Sequence, residues 1–303
     1  MRFVKQTMTA LLGISIASLG SVSFAQEPDF SKVEIETIPV TENVYMLMGE
    51  GGNIGVLAGD DGVLLIDDQY APLTEKIEAA VAEISDRPIS FLLNTHWHFD
   101  HTGGNENLGE SGVTIVAHDE VYNRMSTKQF IEAFGREIPP SPPSALPKIS
   151  YNDTVTFHIN GQTVNGFHVE SAHTDGDTIM HFPDANVIHT GDTYFNGIYP
   201  FIDSSSGGSI AGMIRANERT LALADDNTKI IPGHGPLSNR TELEAFRQML
   251  IDVKLRTEKA IADGMNLEEF IASNPLADYD ADWGQGFLDA EKFLTIVYNS
   301  LAE

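Results

Sequence analysis

The stretch that most restricts this chain is Asn94-Thr95-His96-Trp97-His98-Phe99-Asp100-His101. It follows the apolar, β-type run Ile89 to Leu93 and leads into Thr102-Gly103-Gly104. In an extended backbone successive side chains alternate faces, so His96, His98 and Asp100 share one side while Trp97 and Phe99 point into a core. His101 breaks the alternation, and the two glycines behind it permit a turn that re-aims its ring. Such a loop suits two metal ions. It differs from a helical His-Glu-x-x-His pair, whose i,i+4 spacing serves a single ion.

Three later positions repeat the pattern of a ligand-type residue at the carboxyl end of a strand, where α/β sheets place their sites. His173 follows Phe167–Ser171 and precedes the turn Thr174-Asp175-Gly176-Asp177. Asp192 follows Val187–His189 within Thr190-Gly191-Asp192-Thr193, and His234 follows Lys229–Ile231 between Gly233 and Gly235. Taken singly, each reads as a satisfied loop histidine or an Asx-turn aspartate. With the His96 loop they read as one ligand set. The chain has no cysteine, so the site has only imidazole and carboxylate donors, which suit zinc, iron or manganese. His118, His158, His168, His181 and His189 show no pattern of their own and read as structural.

Residues 1–25 read as a signal peptide: Arg2 and Lys5, an apolar run from Ala10 to Leu19, then Ser23-Phe24-Ala25. The run is too short for a stable membrane span, so a periplasmic or secreted protein without membrane insertion is expected. Residues 26–303 are enough for one α/β domain with a large core, closed by C-terminal helices over 241–303. A formal charge of −26 repels nucleic acid and anionic lipid, which leaves a small-molecule substrate as the partner.

Short strands are expected at Val33–Ile38, Val44–Met48, Ile54–Ala58, Val63–Ile66 and Ile89–Leu93, with a helix over Pro72–Ile84. Gly49 to Asn53 forms either a flap or, as favoured here, a glycine-rich hairpin. The five prolines between Thr127 and Pro147 predict a loop or short extended connector. The second half is strand-rich again, with separate strands at Gln162–Asn165 and Phe167–Ser171. Helices are expected at Ile210–Ala224, from a Thr241/Glu244 capping box to about Ala262, and over Phe287–Ser300.

The ordered set His96-x-His98-x-Asp100-His101, His173, Asp192, His234 resembles the metallo-β-lactamase superfamily. The resemblance implies a four-layer αβ/βα sandwich with the site along one edge of the paired sheets. It assigns His96, His98 and His173 to one zinc ion, and Asp100, His101 and His234 to a second, with Asp192 bridging or binding the second. Asp67 matches the aspartate that supports the ligand loop from behind. Asp100 becomes the catalytic group that orients the attacking water and shuttles its proton. Asp192 stands where one β-lactamase subclass has its zinc-binding cysteine. Phe195 stands where that subclass has a lysine for the substrate carboxylate, which makes it a substrate-contact candidate. The expectation is a zinc hydrolase of β-lactamase type, linked to antibiotic resistance, with a lactone or thioester hydrolase second. A mononuclear iron persulfide dioxygenase, needing only His96, His98, His173 and Asp192, comes third.

Overall fold

Alternate residues of the same strand feed two different cores. In Val44–Met48 the side chains of Val44 and Met46 face a second sheet, while Leu47 faces helices; in Gly62–Ile66, Leu64 and Ile66 take the first direction and Val63 and Leu65 the second. A strand buried on both faces must be apolar at every position, so these segments read as unbroken hydrophobic runs. The computed structural model describes residues 29–302; the signal peptide expected in residues 1–25 lies outside them.

A seven-stranded sheet is ordered Glu36–Pro39, Val44–Met48, Ile54–Gly59, Gly62–Ile66, Ile89–Leu93, Thr114–His118, Ile149–Tyr151. Its first four strands pair antiparallel through hairpins and the later pairs are parallel. A six-stranded sheet is ordered Thr154–Ile159, Gln162–His168, Thr178–Phe182, Val187–His189, Lys229–Ile231, Ser238–Asn239. Here only Val187–His189 and Lys229–Ile231 are parallel. The sheets pack face to face through Val44, Met46, Leu64, Leu93, Met180 and Phe182, among others. Helix Thr74–Ile84 covers the first sheet with Ile77 and Val81. Helices Ile210–Leu223, Arg240–Ala262 and Ala290–Ala302 cover the second with Met213, Phe246, Leu250 and Phe293. The result is the expected αβ/βα four-layer sandwich. Parallel pairing aligns strand ends, so the segments after Ile66, Leu93, His189 and Ile231 emerge along one edge. Among the described residues no helix is long and apolar enough to cross a membrane.

Several boundaries differ from the sequence reading for local reasons. Phe30–Lys32 forms a 3-10 turn, which delays the first strand to Glu36. The long helix starts at Arg240, not Thr241, because the Asn239 side chain accepts from the Glu242 N–H at 3.1 Å. A reciprocal capping box occurs instead at Asn266 and Glu269. Gln162–His168 is one strand, not two: Gly166 stays in register where a Cβ would lie 2.8 Å from Met180 Sδ. The last helix begins at Ala290. The proline-rich connector contains a small hairpin, Gln129–Ile131 with Arg136–Ile138, outside both large sheets.

Phe246 is fully buried, with its ring 5.0 Å from Tyr194 and 5.6 Å from Trp283. Phe246→Ala is expected to lower the unfolding free energy by about 3–5 kcal/mol, read from the shift of the urea midpoint.

Candidate metal centre

The extended strand ends at Leu93, and the chain already bends through Thr95–Trp97. Phe99–Thr102 is a single helical turn, entered from His98, with the His101 N–H on the His98 carbonyl at 3.0 Å. It is this turn, and not the glycines behind it, that swings Asp100 and His101 toward the site. Gly103 itself is helical, at φ −66°. Its glycine is needed because a Cβ would sit 2.7 Å from the Gln69 and Phe99 carbonyl oxygens. Trp97 is buried beneath the loop as expected, in the core under the C-terminal helices.

The seven candidate ligands converge. His98 Nδ1 lies 2.8 Å from His173 Nε2, and Asp192 Oδ2 is 3.5 Å from His173 Nε2 and 3.9 Å from His96 Nε2. On the other side, His234 Nε2 lies 3.3 Å from both His101 Nε2 and Asp100 Oδ2. Asp192 reaches this group too, with Oδ1 3.0 Å from His101 Nε2 and Oδ2 3.4 Å from His234 Nε2. Three clusters have donor atoms all within 4.8 Å of one another: His96/His98/His173, His96/His101/Asp192 and Asp100/His101/His234. Asp192 therefore stands between two three-residue groups.

Each of four imidazoles is held from behind through its other nitrogen. His96 Nδ1 faces Thr95 Oγ1 at 3.1 Å, His173 Nδ1 the Phe201 carbonyl at 2.8 Å, His101 Nδ1 the Asp67 carboxylate at 2.8 Å, and His98 Nε2 the Asp203 carboxylate at 3.0 Å. These partners fix which nitrogen of each ring faces inward, as metal-binding histidines require. Asp67 also accepts from the Thr95 N–H and hydroxyl, both at 2.7 Å. Asp203 is a residue that sequence reasoning missed. Its signal was the run Asp203-Ser204-Ser205-Ser206-Gly207, in which Asp203 caps a short turn and accepts from Ser206.

The Gly49–Asn53 segment is a fastened hairpin loop. Asn53 donates through Nδ2 to the Pro232 and Gly235 carbonyls at 3.0 and 2.8 Å, and its N–H donates to the Gly233 carbonyl at 2.7 Å. Gly52 lies against the His101 ring, where a Cβ would fall 2.0 Å from Cε1. His189 is fully buried and braces the same region, facing the Asn53 carbonyl with Nε2 at 3.1 Å and accepting the Gly191 N–H at Nδ1. Phe195 does not open onto a subsite. It is buried and stacked under His234, centroids 5.2 Å apart and planes at 13°, so it buttresses a ligand-type ring instead of presenting a surface to a substrate carboxylate.

The two groups differ in protonation. Burial lowers the pKa of His96 far below its ordinary value and brings His173 to about 4, so both are neutral near pH 7. Burial would also lower His101 and His234, but Asp192 and Asp100 outweigh it, raising His101 well above the usual range and His234 to about 9. Asp192 is held anionic by His101 and His234 against the opposing effect of burial.

Three comparisons bear on this geometry. The model of the metallo-beta-lactamase superfamily matches residues 47–234. A hydroxyacylglutathione hydrolase from Brucella ovis is 31% identical over 184 residues, covering 60% of this chain and 62% of that protein. The 2,4-dinitroanisole O-demethylase subunit alpha of Nocardioides sp. is 23% identical over 239 residues, covering 77% and 68%. Among solved structures, a metallo-beta-lactamase from Pontibacter korlensis superposes with a TM-score of 0.60 at 17% identity, covering 72% of this chain and all of that one. An inverting sec-alkylsulfatase from Pseudomonas sp. reaches 0.65 at 17% identity, covering 88% of this chain and 50% of that one.

Two outcomes are expected. Loading the metal-free protein with zinc at pH 7.5 should release few protons for the first equivalent and about two for the second, from His101 and His234. Affinity for the second equivalent should climb as pH rises toward 9 and then level off; equal proton release in both steps would contradict the assignment. Asp203→Asn should weaken the His96/His98/His173 group by about 10–100-fold in chelator competition and leave the other group unchanged.

Proposed function

The chain belongs to the metallo-β-lactamase superfamily, and within it we propose a hydrolase that carries two zinc ions and opens a carboxylic ester, thioester or lactone. The observation that carries this reading is the pair of ligand groups sharing the buried Asp192. Within them, His96 Nε2 is buried without a hydrogen-bond partner. An inward lone pair left unpaired is costly unless a cation takes it. The donor set, five imidazoles and two carboxylates with no thiolate, fits zinc. In this reading His96, His98 and His173 hold one ion, Asp100, His101 and His234 the other, and Asp192 contributes to both.

Bound there, two divalent cations supply Lewis acidity that polarises a substrate carbonyl and lets a water ionise near neutral pH. The protein's own groups do the rest. Asp100 is anionic in the metal-free protein, where His101 and His234 outweigh the opposing effect of burial, and its carboxylate can accept a proton. It is also more open than its buried neighbours, at 20% side-chain exposure, so it can pass that proton to solvent or to a leaving group. Asp67 and Asp203 keep the rings from rotating while charge develops.

Esters and thioesters come first because the relative at 31% identity is a hydroxyacylglutathione hydrolase and because position 195 offers a buried ring in place of a cation. A β-lactam carboxylate gains no charge-assisted contact from that ring, so β-lactam turnover is expected only with a high KM. An iron dioxygenase would leave the Asp100/His101/His234 group without a task. The leader read in residues 1–25 supports work in the periplasm or outside the cell.

The test is elemental analysis of the purified protein together with a hydrolysis screen over esters, lactones, thioesters and β-lactams. About two zinc per chain with turnover of the first three classes is expected; one tightly held iron, with no hydrolysis, would overturn the reading. Asp100→Asn should keep the first zinc and lower kcat by about 10²–10⁴.

A further inference from the structure

Beside the ligand groups runs an aromatic wall that the hydrolytic chemistry does not use. Phe201 is buried with its ring 5.8 Å from His98 and 5.7 Å from His173. Phe134 lies on Phe201 at 4.8 Å, and Phe287 lies on Phe134 at 5.6 Å. The series leads outward from the ligands to solvent: Phe134 is 40% exposed and Phe287 is 64% exposed. The two outer rings come from far-apart segments, the turn inside the Gln129–Ile131/Arg136–Ile138 hairpin and the stretch before helix Ala290–Ala302.

That hairpin is fastened across the rim. Ile131 is buried in the core, the Glu132 N–H reaches Ser205 Oγ at 3.4 Å, and the Arg136 guanidinium lies over the Phe99 ring at 4.5 Å. Phe99 immediately precedes Asp100, so the arm spans from the His98/His173 side to the Asp100 side. Leaving two phenylalanines open to water forgoes stabilisation that burial would give. A contiguous apolar path that ends on the ligand rings has a use when the reacting molecule covers it.

Resting on the hydrolase reading, we propose that Phe134 and Phe287, carried on from Phe201, form the specificity wall for an apolar acyl or aryl group of the substrate. The preferred substrates are then esters or thioesters with a medium-length alkyl chain or an aromatic ring, laid along the wall with the carbonyl at the ligand groups. Small polar acyl groups are poor substrates because they leave the wall wet.

The test compares 4-nitrophenyl acetate, butanoate, hexanoate and octanoate with the zinc-loaded protein and its Phe134→Ala, Phe287→Ala and doubly substituted variants. In the unsubstituted protein kcat/KM should rise at least about tenfold from acetate to octanoate, since each buried methylene adds to binding. The double variant should flatten that rise to within about twofold, with zinc content unchanged. Both rings are substantially exposed, so their truncation should spare the fold. A flat series in the unsubstituted protein, or a rise that the double variant keeps, overturns the proposal. Saturation-transfer NMR with 4-phenylbutan-1-ol decides the matter without turnover. A transfer signal that disappears in the double variant supports the wall, and a signal of equal strength in both proteins overturns it. If hydrolysis is absent while the signal is present in the unsubstituted protein and vanishes in the variant, the result counts against the hydrolase reading alone.

Discussion

One buried carboxylate joins the first sheet to the ligand loop. Asp67 follows strand Gly62–Ile66 in the left-handed region at φ 65°, with its N–H on the Leu93 carbonyl at 2.9 Å. That backbone conformation costs about 1–2 kcal/mol for a residue with a side chain. In return, the carboxylate meets the Thr95 N–H, the Thr95 hydroxyl and His101 Nδ1 together. The position of His96, through Thr95, and the orientation of His101 therefore both depend on a strained residue in the neighbouring strand's exit.

From that anchor the two groups acquire opposite electrostatic character. His96 and His173 are buried among other rings and stay neutral. His101 and His234 face Asp100 and Asp192, and in the absence of a cation they take protons to balance those charges. Asp192 belongs to both environments, so its charge is shared between a pocket ready for a cation and one that must first exchange protons. The asymmetry follows from where the carboxylates fall, since all five imidazoles are chemically alike.

The seven candidate positions were legible in the sequence because each follows the end of a strand and because spacing within one loop is a local property. The four-layer architecture was legible through the resemblance those positions carry. The parts that stayed hidden are held by interactions distant in sequence. Asp203 reaches His98 across 105 positions, and Asn53 ties a hairpin to the His234 loop across nearly 180; no local pattern announces either. The helical turn Phe99–Thr102 was hidden differently, since alternating His-x-His-x-Asp fits a strand until the backbone leaves it. In the proline-rich connector, the prolines masked a hairpin of only three residues per strand. Asn239 and Thr241 are both plausible helix caps, and two residues of sequence could not separate them.

His234 is the ligand-type ring without a rear partner: among the described residues its Nδ1 makes no hydrogen bond, and Phe195 supports it only by stacking. The other four rings are each latched. A stacked ring can slide or turn with little loss, whereas a latched one must first break a hydrogen bond inside the protein. The consequence is kinetic. If each group holds an ion, exchange with the medium should run first through the His234 side, where the ring is held by stacking alone.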